Sequence, residues 1–151
     1  MDHDISVRAA APADYDRIAA VIDDWWGRPV QYNLPRLFLD HFCDTSFVAE
    51  AGPDLAGFLI GFLSASHPDE AYIHFVGVNP RFRGSGLARQ LYERFFRLAT
   101  AGGRSMVHAV TAPVNSVSIA FHTAMGFSVT GPVSGYDGPA DRKMVFERRL
   151  P

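Results

Sequence analysis

The chain reads IHFVGVNPRFRGSGLARQLYERFF from Ile73 to Phe96, and this stretch decides the fold. Its first part, up to Val78, is rich in β-branched and aromatic residues, which predicts a strand. Pro80 ends that strand, because proline has no N–H to donate and pushes the residue before it out of the helical region. Beyond the turn, apolar residues recur at spacings of three and four, which predicts a helix. These are Leu87, Leu91, Phe95 and Leu98.

The turn between this strand and this helix has arginines and glycines and no acidic residue. It contains Arg81, Arg83, Gly84, Ser85 and Gly86. Glycines keep Cβ atoms away from the backbone, so that successive N–H groups can converge on one anion. The first turn of a helix adds unpaired N–H donors and a partial positive charge. The pattern therefore predicts a phosphate or diphosphate site; the alternative is an ordinary strand–helix turn with glycines for tight packing.

A second pattern, NSVSIAFHTAMGF, runs from Asn115 to Phe127. Asn115 is a good N-cap, because its side chain can accept from an unpaired N–H of the first turn. Apolar residues follow at helical spacing, and Gly126 is a good terminator. A second helix is therefore predicted here.

The two patterns together resemble the GNAT superfamily of N-acetyltransferases. Arg83-x-x-Gly86-x-Ala88 resembles the acyl-CoA signature Q/R-x-x-G-x-G/A of that family. The second stretch is similar to the family pattern N-x-x-S-x-x-F-Y-x-x-x-G-F, with His122 in place of the tyrosine. The motifs cover about the last half of the chain, and the first half matches in the order of its elements only.

Composition indicates one compact domain over residues 1–151, with 48% hydrophobic and 13% aromatic residues. The net charge of −2 points to neither a nucleic-acid nor a membrane-surface partner. No apolar run approaches the roughly 20 residues that cross a bilayer, and the N-terminus lacks the features of a signal peptide. One cysteine, Cys43, suits a reducing compartment. We expect a cytoplasmic protein.

The pattern β-α-α-β-β-β-α-β-α-β-β along the chain predicts an α/β fold, with a mixed sheet flanked by about four helices. This order also resembles the GNAT fold. The predicted strands are 5–8, 46–50, 55–64, 71–78, 105–110, 127–130 and 143–148, and residues 131–140 are predicted as a loop. The first helix is expected to open near Pro12, and the second to span about 34–42.

The resemblance implies acetyl-CoA as the co-substrate. In that reading Val76 to Val78 pair with the pantetheine amides, Gly77 allows close approach, and a backbone N–H near Val76 stabilises the oxyanion. Asn115 hydrogen-bonds the pantetheine arm. The implied cofactor-binding residues are Val76, Gly77, Val78, Arg83, Gly84, Ser85, Gly86, Leu87, Ala88, Asn115, Ser118 and Phe121.

Three residues are candidates for proton transfer. An ammonium with a pKa of about 10.4 must lose its proton before it attacks a thioester. Tyr72 and His74 share one face of the central strand, and His74 is the candidate base; the alternative is a core histidine with satisfied hydrogen bonds. By resemblance His122 protonates the leaving thiolate, since its unperturbed pKa of about 6.5 leaves a protonated fraction near neutrality. It can equally be a packing residue or a CoA contact.

The six histidines show no metal-ligand spacing, so no metal site is predicted. Trp25, Trp26 and Tyr136 are the candidate acceptor contacts, with core packing or a dimer contact as the alternatives for the tryptophans. The expected acceptor is a small-molecule amine or a peptide amine, and a homodimer is left open.

The sequence thus predicts an acetyl-CoA-dependent N-acetyltransferase in which the amine attacks the thioester directly. One alternative is a catalytically weak acyl-CoA-binding module, favoured by the missing tyrosine and by the lack of a carboxylate on the central strand. The other is a transferase for a longer acyl group.

Overall fold

The computed structural model describes residues 4–151 as a seven-stranded mixed sheet with four helices. The strands are β1 Ile5–Ala9, β2 Phe47–Ala51, β3 Asp54–Leu63, β4 Glu70–Val78, β5 Met106–Thr111, β6 Ser128–Ser134 and β7 Arg142–Arg149. The helices are α1 Asp14–Trp26, α2 Leu37–Phe42, α3 Leu87–Ala101 and α4 Ser116–Ala124. Short 3-10 turns lie at Gln31–Asn33, Cys43–Thr45 and Pro80–Phe82.

The strand order across the sheet is β1-β2-β3-β4-β5-β7-β6. Neighbours β1 and β2, β2 and β3, β5 and β7, and β6 and β7 are antiparallel. The pair β4 and β5 is parallel, with Tyr72 opposite His108. The predicted mixed α/β sheet and the order of its elements are confirmed.

Most strand ends lie within one residue of the sequence prediction, and two boundaries differ by more. Strand β6 continues to Ser134, where a loop was predicted from residue 131 onward. The register of β6 against β7 shifts between Thr130 and Val133, so an irregularity carries the strand past Gly131 and Pro132. Helix α2 begins at Leu37 rather than near residue 34, and a separate 3-10 turn precedes it at residues 31–33.

By its internal contacts the chain divides into two compact units. Unit 1 contains residues 4–62 and 74–98, and unit 2 contains residues 63–73 and 99–151. Strand β4 thus contributes its first residues to unit 2 and its last residues to unit 1. Each unit is described by itself below.

In unit 1, helices cover both faces of the strands. Leu87 and Leu91 of α3 approach Gly57 of β3 on one face. On the other face, the ring of Trp25 stacks on Phe58 with centroids 6.0 Å apart. The buried residues of α1 recur at helical spacing and complete this core; they are Tyr15, Ile18, Ile22 and Trp25.

In unit 2, α4 packs on β7. The fully buried ring of Phe146 contacts His122 of α4 and Phe127, which follows α4. Arg104 fixes the start of β5 through its guanidinium, which donates to the carbonyls of Ser64 at 3.2 Å and Glu70 at 3.1 Å.

The start of α1 is held by a buried carboxylate. Asp14 accepts two hydrogen bonds from Arg8, at 2.8 and 2.9 Å, and one from the N–H of Ala11 at 2.8 Å. The hydrogen bond from Arg8 is the main cause that lowers the pKa of Asp14 below its usual value. The ionised form of Asp14 is therefore favoured by folding.

Replacing Asp14 by Asn is expected to lower the free energy of unfolding at pH 7 by about 2 kcal/mol, on the scale of hydrogen bonds to charged groups. Because folding lowers the pKa of Asp14, its contribution is present above the unfolded-state pKa of about 3.9 and is lost as the pH falls. Denaturant titrations at pH 7 and pH 3 should therefore show the two proteins converging at the lower pH.

The matched control is Asp16→Asn, since Asp16 pairs with Arg36 but its side chain is 78% exposed. Exposed pairs contribute about 0.2–1 kcal/mol. A difference between wild type and Asp14→Asn that is the same at both pH values would contradict the assigned role of the carboxylate.

Candidate functional site

The turn that joins β4 to α3 is fastened to the sheet of unit 1 by Asn79. Its side-chain amide donates to the carbonyl of Leu55 at 3.0 Å, and its backbone N–H donates to the carbonyl of Ala56 at 2.9 Å. The side-chain oxygen of Asn79 accepts from the N–H of Arg81 at 3.0 Å. These bonds give the turn one defined path away from the sheet.

Peptide N–H groups without acceptors line the end of this turn. Gly84 and Gly86 have φ values of +81° and +83°, which residues with a side chain rarely adopt. Among residues 4–151, no carbonyl or side chain accepts from the N–H groups of Gly84, Ser85 and Gly86. The first turn of α3 adds its own unpaired N–H groups and contains no acidic residue. The arrangement is a backbone site for an anion.

Three side chains in and directly after this turn contact the protein itself. The Ser85 hydroxyl donates to the carbonyl of Phe82 at 2.5 Å, and Leu87 is buried. The Arg83 guanidinium donates to the carbonyl of Trp25 at 2.7 Å. The roles predicted for Gly84, Ser85, Leu87 and Ala88 toward CoA therefore rest on their backbone groups.

The end of β4 is tightly packed around Gly77. A Cβ atom on Gly77 would lie 2.6 Å from the ring of Phe58 and 3.1 Å from the ring of Trp26. Glycine is thus required here by the protein's own aromatic core. Backbone pairing of Val76 to Val78 with pantetheine stays a prediction.

His74 of β4 is held by the segment before α2. Its ring stacks on Phe38 with centroids 4.0 Å apart and planes within 4°, and its Nε2 lies 2.6 Å from the carbonyl oxygen of Asn33. A carbonyl only accepts, so Nε2 carries the proton and Nδ1 keeps its lone pair. Burial lowers the pKa of His74. The imidazole is therefore neutral at pH 7, as a base must be, with its tautomer fixed by Asn33.

The two tryptophans at the end of α1 differ in position. Trp25 is buried in the core of unit 1, so its ring serves packing. Trp26 is only partly buried and packs against Phe75 with centroids 4.9 Å apart. Of the two tryptophans predicted to contact the acceptor, only Trp26 keeps part of its surface exposed.

In unit 2, Asn115 caps α4 as predicted. Its side-chain oxygen accepts from the N–H of Ser118 at 3.1 Å, and its amide donates to the hydroxyl of Thr111 at 3.2 Å. Ser118 and His122 follow on the same face of the helix, four residues apart.

His122 lies in an aromatic cage and is 6% exposed. Its ring stacks on Phe146 with centroids 4.0 Å apart and planes within 5°, and Phe121 and Phe127 meet it edge-on. Its Nδ1 lies 2.8 Å from the carbonyl oxygen of Ser118. Burial lowers the pKa of His122, so the imidazolium fraction at neutrality is smaller than its ordinary pKa would give. The environment favours the packing alternative over proton donation.

Tyr72 and Tyr136 come together in unit 2, from β4 and from the loop between β6 and β7. Burial, and secondarily the neighbouring hydroxyl of Tyr136, raise the pKa of Tyr72. Tyr136 itself is 42% exposed. Tyr72 is therefore protonated at neutral pH and can donate a hydrogen bond, but it cannot act as a base.

One pair of ionisable residues was not singled out from the sequence. His108 of β5 places Nε2 2.9 Å from a carboxylate oxygen of Glu70 at the start of β4. The direction of approach does not meet hydrogen-bond geometry, and this buried Nε2 has no other partner among residues 4–151. The two side chains are therefore close neighbours without a hydrogen bond between them. Only the parallel pairing of β4 and β5, which sequence spacing does not reveal, brings the two residues together.

Residues 4–151 contain neither a metal-binding cluster nor a membrane-spanning helix. No group of three His, Cys, Asp or Glu side chains is placed to hold a metal ion. No helix in the same part of the chain has the length and apolarity to cross a membrane.

The model of the acetyltransferase (GNAT) family matches residues 12–127, well over half of the chain. The chain belongs to the GNAT acetyltransferase family. The match spans the turn before α3 and the cap of α4, so the resemblance drawn from the two motifs is confirmed.

Two curated GNAT relatives are amino-acid acetyltransferases by name. The L-2,4-diaminobutyric acid acetyltransferase of Vibrio parahaemolyticus is 40% identical over 72 residues, which cover 47% of this chain and 40% of the relative. The L-methionine sulfoximine/L-methionine sulfone acetyltransferase of Pseudomonas aeruginosa is 28% identical over 140 residues, covering 83% of this chain and 81% of the relative. The chain spans less than half the length of the diaminobutyric acid acetyltransferases that it matches.

Solved structures carry the same fold. Ard1 from Thermoplasma volcanium superposes with a TM-score of 0.81 at 20% identity, covering 97% of this chain and 98% of that chain. At this identity the likeness establishes the fold alone.

Replacing His122 by Phe tests whether its imidazole takes part in proton transfer. Because the ring is caged and its pKa is lowered, we expect the acetyl-transfer kcat of His122→Phe at pH 7.5 to stay within about threefold of wild type. Loss of general acid catalysis would instead cost about 10²–10⁴-fold in kcat.

The comparison should include the thermal midpoint and the Kd for CoA of both proteins. A kcat that falls a hundredfold or more, with midpoint and Kd unchanged, would contradict the packing role and restore His122 as the acid.

Proposed function

We propose that this GNAT member is an acetyl-CoA-dependent N-acetyltransferase that moves an acetyl group to a primary amine by direct attack. The observation that carries the proposal is the run of unpaired N–H groups at Gly84, Ser85 and Gly86, at the head of α3. This site suits the diphosphate of CoA, because peptide dipoles and the helix N-terminus both favour a bound anion. Membership of the family supports the same co-substrate.

The proposed acceptor is the primary amine of a free amino acid. This rests on the names of the two relatives, which both denote enzymes acting on amino acids. A peptide amine is the second acceptor class, and an assay with both kinds of amine separates them.

In the proposed reaction, His74 takes the proton that the ammonium must lose. One N–H bond of the ammonium breaks, its electron pair stays on nitrogen, and the proton goes to Nδ1 of His74. The amine nitrogen then bonds to the thioester carbonyl carbon, and the carbon–sulfur bond breaks with its electron pair on sulfur. The second proton on nitrogen leaves as the amide forms and passes through water to the thiolate, which departs as the thiol of CoA. Tyr72 is a hydrogen-bond donor in this scheme, since the raised pKa of its phenol rules out a role as base.

A catalytically weak acyl-CoA-binding module is the second candidate. The burial of His122, at the position of the family's tyrosine, favours it, because the usual acid is then absent. Tight CoA binding by the wild type, with no thiol release for any amine of a broad panel, would decide for this candidate.

The anion site is tested with Gly86→Asp. An aspartate there forces a side-chain residue into a positive φ and puts a negative charge at the site, so CoA binding by calorimetry should fall below detection. The control is Gly103→Asp, because Gly103 has a φ of +78° and open space around it, as Gly86 does.

Both variants should lose similar stability, on the order of 1–2 kcal/mol for the left-handed conformation. Only Gly86→Asp should lose CoA. Retention of wild-type CoA affinity by Gly86→Asp would overturn the assignment of the site.

The base is tested by the pH dependence of kcat/KM. A base must be neutral, so activity falls as the pH drops through the pKa of His74, which burial places below its usual value of about 6.5. His74→Gln should remove this fall and lower kcat by about 10²–10⁴-fold, the range for general base catalysis.

An amine that is already neutral at pH 7 provides the control, because it does not need the base. With this acceptor, His74→Gln should lose far less activity than with an alkylamine. An equal loss for both amines, or an acid limb that persists in the variant, would assign His74 to packing alone.

A further inference from the structure

Helix α1 has an exposed negative end that its own residues do not neutralise. The N–H of Gly27 donates to the carbonyls of Asp23 at 2.8 Å and Asp24 at 3.2 Å. The carbonyl of Trp25 lies beyond the reach of this cap, and the last turn of α1 contains no basic residue. The carbonyls at a helix C-terminus carry a partial negative charge and attract a cation.

The cation comes from the turn before α3. The Arg83 guanidinium donates to the carbonyl of Trp25 at 2.7 Å, in a partly buried contact between residues 58 positions apart. A charge-assisted hydrogen bond of this length is strong and directional. The charge of Arg83 therefore lies against the negative end of α1, and one of its five N–H donors is engaged there.

The other arginines near the anion site also have partners. Arg81 lies 3.3 Å from Asp54, and Arg89 lies 3.9 Å from Glu93. All three arginines are exposed residues, but only the hydrogen bond of Arg83 is partly buried and joins the turn to a distant helix. Among residues 4–151, the peptide N–H groups of Gly84, Ser85 and Gly86 have no acceptor.

We propose that Arg83 is a positioning residue, which ties the turn to the end of α1 and so keeps the N–H groups of Gly84 to Gly86 convergent on the diphosphate. The alternative is the direct cofactor contact that the sequence predicted for Arg83, and the proposal rests on the proposed function only for the identity of the anion. Asn79 holds the start of the turn on β3, and Arg83 holds its middle on α1. Two fixed points leave the following glycines in one conformation.

The test compares Arg83→Met with wild type in CoA binding at several salt concentrations. A positioning role predicts that Kd rises about tenfold while its dependence on salt stays as in wild type, because no charge has been removed from contact with phosphate. Charge contacts weaken as ionic strength rises. A salt dependence that becomes clearly shallower in Arg83→Met would overturn the proposal in favour of a direct ion pair.

A double-mutant cycle with Gly84→Ala gives an independent readout. Gly84 has a φ of +81° and open space around it, so alanine disturbs the turn without adding a clash or a charge. If Arg83 acts through the shape of the turn, Arg83→Met should weaken CoA binding much less in the Gly84→Ala background than in wild type. Fully additive effects would contradict the proposal.

The thermal midpoint of each variant is measured alongside, and Arg83→Gln serves if Arg83→Met does not fold. If the wild type binds CoA but transfers no acetyl group, the proposed function is wrong and this inference still holds. A wild type that does not bind CoA would overturn both.

Discussion

Peptide N–H groups without acceptors are the constraint on which the site depends. Gly84, Ser85 and Gly86 are exposed, so water can satisfy their N–H groups until a ligand takes its place. Gly84, Ser85 and Gly86 present three in succession, directly before the unpaired donors of α3. The surrounding contacts keep them in place. Asn79 bonds to β3, Arg83 bonds to the end of α1, and Leu87 is buried at the start of α3.

Burial, rather than charged neighbours, shifts the pKa values of the ionisable groups considered for catalysis. Desolvation is the leading cause in each case: it lowers the pKa of His74 and of His122 and raises that of Tyr72. All three side chains are consequently uncharged at pH 7. What differs is access, because His122 is enclosed by phenylalanine rings while Nδ1 of His74 has no partner among residues 4–151. This difference supports the proposed base on β4 and favours a packing role for His122 on α4.

Local patterns predicted most of the fold. The strand–turn–helix around Pro80, the cap at Asn115 and the order of the elements all follow from rules that act within a few residues. The continuation of β6 past Gly131 did not follow, because an irregular register against β7 carries it and a Gly-Pro pair usually marks a loop.

Rules that act within a few residues could not predict the contacts that define the site, because those contacts join distant parts of the chain. Arg83 meets Trp25, His74 meets Asn33, and Glu70 meets His108, each across more than 35 residues of chain. Gly77 is similar: the family resemblance explained this glycine by close approach of a ligand, whereas the rings of Phe58 and Trp26 already leave no room for a Cβ atom. Sequence motifs located the residues, and tertiary packing decided which of their atoms are available.

The most direct measurement is a ¹⁵N–¹H titration that follows the backbone amides of Gly84, Ser85 and Gly86. Adding CoA should shift these three amides to lower field, as expected for N–H groups that gain a charged acceptor, while pantetheine, which lacks the diphosphate, should leave them in place. Amides that stay unmoved with CoA, or that move equally with pantetheine, would show that these N–H groups do not hold the diphosphate.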